Sequence, residues 1–88
     1  MNMDLMYDET EPTSTRYVGF VGSYGRFDLA ILQTNHFYGK KLVICLQTNR
    51  CAILDQSEAE HAPYIQEVFQ LRSEEEAEEL SNFLSHNI

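Results

Sequence analysis

Apolar residues either alternate or run together from Thr15 to Leu54, and a helical stripe replaces them near the C-terminus. Arg16 to Val21 alternates Tyr17, Gly19 and Val21 with Val18 and Phe20, the period of two expected of a strand. Gly22-Ser23-Tyr24-Gly25 has turn composition. A second strand, Arg26 to Thr34, sets Phe27, Leu29 and Ile31 on one face and Asp28, Ala30 and Leu32 on the other. The third strand, Lys41 to Gln47, contains Leu42-Val43-Ile44-Cys45-Leu46, apolar on both faces. Thr48-Asn49 reads as a two-residue hairpin turn into a fourth strand that ends at Leu54. In that register Cys45 opposes Ala52 and the two cysteines point to opposite faces, which rules out a disulfide between Cys45 and Cys51.

Outside the meander of residues 15–54 the pattern changes. Residues 1–13 have no period and read as an arm. Residues 55–63 read as an acidic linker. Residues 64–72 fit either a short fifth strand or a helical turn opened by Pro63. Ser73 and Glu76 have capping-box spacing, and Ala77, Leu80, Phe83 and Leu84 recur on one helical stripe, so residues 73–86 are expected to form a helix. The expected fold is a single α+β domain: an antiparallel β-meander of four to five strands with a C-terminal α-helix packed on one face.

One such helix spans roughly 20 Å and covers one face of a small sheet. The third strand needs cover on both. The face bearing Val43, Cys45, Ala52 and Leu54 is therefore expected to be left over as a self-association face. The alternatives are that Leu5, Met6 and Tyr7 of the arm fold back over it, or that the sheet curls on itself.

The net charge is −8, unevenly spread. Residues 1–11 carry four acids and no base. Residues 12–54 carry Arg16, Arg26, Lys40, Lys41 and Arg50 against Asp28 alone, and residues 55–88 carry nine acids against Arg72. This field opposes nucleic acid and anionic membranes, and the basic middle is expected to face the chain's own acidic ends. No apolar stretch approaches the roughly 18 residues of a membrane helix, and the N-terminus lacks a signal-peptide pattern. With two buried thiols expected, these features point to the cytoplasm.

Candidate chemistry concentrates in Asn35-His36-Phe37-Tyr38-Gly39-Lys40-Lys41. His36 suits a general base, Tyr38 a donor, and Lys40 and Lys41 an anion clamp. Contiguous residues seldom make a site alone, so a surface loop is the plainer reading. Tyr17, Phe20, Phe27, His36, Phe37, Tyr38, Lys40 and Lys41 are the candidate ligand or partner surface. His36, His61 and His86 have no metal-ligand spacing, and Cys45 and Cys51 lie in apolar strands unsuited to a reactive thiolate. No catalytic residue, metal or cofactor is assigned.

Arg16-Tyr17-Val18-Gly19-Phe20-Val21, Arg26-Phe27-Asp28-Leu29-Ala30, Gln33-Thr34-Asn35-His36-Phe37-Tyr38-Gly39-Lys40 and Phe69-Gln70-Leu71 leading into Ser73 to Leu80 together resemble a family of short acidic proteins. The family comes from Bacillus- and Staphylococcus-type Gram-positive bacteria and is a domain family of unknown function. The resemblance spans Arg16 to Leu84; it implies a cytoplasmic sheet-plus-helix protein and transfers no catalytic residue. The expected role is a small non-enzymatic protein-binding or regulatory module, a homodimer or the partner of another protein. The alternative is a small enzyme or anionic-ligand binder using His36, Tyr38 and Lys40.

Overall fold

The computed structural model describes residues 3–88, and its strands pair in sequence order. Strands β1 (Ser14–Val21), β2 (Arg26–Gln33), β3 (Lys41–Cys45) and β4 (Arg50–Leu54) form one antiparallel sheet. A 3-10 turn, Asn35–Phe37, lies between β2 and β3, with Tyr38 and Gly39 at positive φ completing the bend. Helices α1 (Gln56–Ala59), α2 (Ala62–Phe69) and α3 (Glu74–Ser85) follow the sheet.

Register decides what the helices cover. Phe20 pairs with Phe27, Val18 with Leu29, Leu29 with Cys45, Ile31 with Val43, and Val43 with Ala52. Because side chains alternate, these residues share one face. That face meets Ala59 of α1, Ile65 and Phe69 of α2, and Leu80 and Leu84 of α3 in a single core. Phe20 stacks between Phe27 and Phe83, with ring centroids 5.1 and 4.5 Å apart. Each fully buried large side chain contributes roughly 1.5–3 kcal/mol relative to exposure.

Three expectations need correction. The β3–β4 connection has four residues, because Cys45 pairs with Arg50 and not with Ala52. β3 stops early because the Gln47 side chain takes over its ladder: its amide nitrogen donates to Arg26 O at 2.6 Å, and its oxygen accepts from Asp28 N at 3.1 Å. The two-residue difference in register keeps the faces, so Cys45 is buried and Cys51 exposed, both as free thiols.

Residues 55–63 and 64–72 are mostly helical rather than a linker followed by a strand or single turn. Asp55 caps α1 in a reciprocal box with Glu58, and Pro63 lies in the first turn of α2, which ends at Gln70 with φ 52°. Ile65 and Phe69, four apart, form the buried stripe of α2.

The third correction concerns cover. With three helices on the inner face, Val43, Cys45 and Leu54 are fully buried and Ala52 is packed against them. The face expected to be open is the core. Phe20 and Phe27, expected at a ligand surface, belong to the same core, Phe27 being only 2% exposed.

Candidate functional site

The face left uncovered is the opposite one. Two transverse rows cross it: Tyr17, Ala30, Ile44 and Cys51, then Thr15, Leu32, Leu42 and Ile53. None of these residues packs against the core beneath the helices. Ala30 is shielded by its position between Tyr17 and Ile44, Leu32, Leu42 and Ile44 are half-buried by their neighbours, and Ile53 and Tyr17 are exposed. Leu46 and Val21 add exposed apolar surface at the far end of the sheet. The charges on this face are Arg26 and Asp28, which pair with each other at 3.2 Å. A chain of net charge −8 thus carries one neutral, aliphatic face.

Sequence alone allots both faces of β3 to apolar residues and chooses the wrong one for the helices. The available signal was Asp28. A charge in the central strand β2 marks its own face as the solvated one, and Ala30, Leu32, Leu42 and Ile44 share it.

The loop of candidate chemistry is dispersed by the fold. His36 turns to the arm, where its Nε2 lies 3.1 Å from Glu9 and its Nδ1 meets the Glu11 carboxylate. Glu11 also accepts from Thr34 Oγ1 at 2.7 Å and from Asn35 N at 3.2 Å. These hydrogen bonds, from Thr34 first, hold the Glu11 carboxyl below its ordinary value, and Glu11 in turn raises the His36 imidazole. Lys40 turns the other way, to Glu58 at 3.1 Å and Asp55 at 3.8 Å, and its pKa is raised by the Glu58 bond. Tyr38 stands fully exposed between them, Phe37 is half-buried, and Lys41 is half-buried at the start of β3. His36 and Lys40 are each neutralised by the chain's own carboxylates, so they do not converge on a common point. Among the described residues, no helix is long and apolar enough to cross a membrane.

Comparison with the curated proteins gives no match. The SAV0927-like family model matches residues 6–86, and the chain belongs to that family.

Proposed function

We propose that this member of the SAV0927-like family is a non-enzymatic protein-binding module that pairs with a second copy of itself through the outer face of its sheet. The observation that carries this reading is the neutral aliphatic face of Leu32, Leu42, Ile44 and Ile53 on an otherwise strongly acidic chain. Two acidic copies repel at long range, and a face without net charge is where they approach at least cost. Sheets packed face to face keep about 10 Å between them and align their strands within about 30°, which a two-fold axis through the outer face allows. Two free thiols, one exposed, fit the reducing environment of the cytoplasm, where we place the protein.

Light scattering at tens of micromolar tests the reading. The wild-type chain is expected at twice the monomer mass and Ile53→Lys at the monomer mass, with circular dichroism unchanged between them. A wild-type chain that stays monomeric throughout that range removes the proposal.

A further inference from the structure

The outer face of the sheet is small for the role assigned to it. Two strands of eight residues beside two of five make a block about 19 Å wide, roughly 27 Å long at β1–β2 and about 17 Å at β3–β4, a footprint near about 420 Å². Even with side-chain relief this falls short of the roughly 800 Å² that each partner contributes to a standard interface. Apolar surface is missing from that interface, and the same chain displays some elsewhere.

It lies in the N-terminal arm. Leu5, Met6 and Tyr7 are 81%, 92% and 73% exposed, and Met3 is exposed beside them. The arm is rooted: Glu11 is held by Thr34, Asn35 and His36, and Glu9 by His36. From that root it does not lie back on its own sheet, since its apolar side chains and Tyr17 and Ile53 are all exposed at once. The molecule extends 49 Å along its longest axis with a radius of gyration of 14.7 Å, against about 12 Å for a compact chain of this length. Residues 3–8 in extended conformation reach about 20 Å, the width of the four-stranded block.

Resting on the dimer proposed above, we infer that the two copies exchange arms, with Leu5, Met6 and Tyr7 of one copy laid along the rim of the other's outer sheet face, beside the face-to-face contact. The anchor at His36 fixes where each arm departs. The exchanged segments extend the apolar contact beyond the two sheet blocks and cover the outer rows that a small face-to-face contact leaves at its rim. Each copy then contributes both a face and a strap, which makes the interface isologous.

The test uses the full chain. In sedimentation equilibrium the variant Leu5→Ser/Met6→Ser/Tyr7→Ser is expected to dimerise at least about ten-fold more weakly than wild type. Met6→Cys then places a thiol on the arm, and Cys51 provides its partner on the outer face, since Cys45 is buried. A short bismaleimide applied to a mixture of mass-tagged and untagged copies is expected to join the two through these positions. Arm exchange is overturned if the triple variant dimerises with the wild-type constant, or if every cross-link lies within one copy. Either result leaves the sheet-face dimer standing; a monomeric wild-type chain overturns both.

Discussion

Glu79 of α3 caps the β1–β2 turn at Tyr24: its carboxylate accepts the backbone N–H of Tyr24 at 2.9 Å and that of the preceding Ser23 at 2.5 Å. Two N–H groups at a tight turn gain a charged acceptor from an element more than fifty residues away. The carboxylate lies so close to Gly22 that a Cβ there would collide with it. Glu79→Ala is expected to cost about 1–2 kcal/mol, and Glu79→Gln less, because the amide still offers one acceptor. Urea unfolding at unchanged slope measures both. Gly22→Ala should destabilise the chain by displacing Glu79, an effect that disappears in the Glu79→Ala background.

Much of this fold is legible in the sequence because period and capping are local signals. Alternation locates the strands, and Ser73, whose hydroxyl accepts from Glu76 N at 3.2 Å, locates the last helix. Asp55 and Glu58 carry the same spacing, yet the helix they open is one turn long and too short to show a periodic stripe. What sequence does not reveal is decided at a distance. Gln47 acts as a surrogate peptide for β2 only after the hairpin has formed, so the end of β3 cannot be read from residue type. The open face turns on which side of the sheet α1 and α2 join α3; α1 is hidden in a polar run, and α2 is an apolar segment too short to tell strand from helix by period.

The aromatic stack joins the first hairpin to the last helix. Phe27→Ala is expected to cost about 3–5 kcal/mol as a fully buried site, and Phe83→Ala about 2 kcal/mol because its ring is partly solvated. Equilibrium denaturation should rank them in that order. Equal losses would mean that the Phe20–Phe83 contact matters as much as the core beneath it.

The arm anchor should depend on pH in both directions. His36 has a raised pKa, so its contribution is complete below the ordinary imidazole value of 6.5 and is lost as pH rises through the raised value. Glu11 has a lowered pKa, so its contribution is complete above the ordinary carboxylate value of 4.5 and is lost as pH falls through the lowered value. Both are present together between 4.5 and 6.5. Amide protection factors in residues 3–10, which divide out the intrinsic pH dependence of exchange, should be highest in that window and lower in mild alkali. His36→Gln should abolish the alkaline limb; an unchanged profile would place the tether elsewhere.

Cys51 and Cys45 offer a chemical reading of the two faces. Native-state alkylation is expected to modify Cys51 alone, with Cys45 reacting only on unfolding. If the outer face is shared between copies, the rate at Cys51 should fall as the protein is concentrated from below to above its dimerisation constant. A rate independent of concentration would count against burial of that row.

The meander also dictates an order of events during synthesis. Each strand pairs with the one made just before it, so the four strands can assemble while the helices are still being translated. The contacts that close the inner face are those of greatest sequence separation: Phe20 with Phe83, Ser23 with Glu79, and Arg16 with Asn87. Until α3 has left the ribosome, the inner face of the nascent sheet is covered only by α1 and α2, and Phe20 and Phe27 lack Phe83. The emergence of α3 therefore sets how long the inner face remains vulnerable to aggregation.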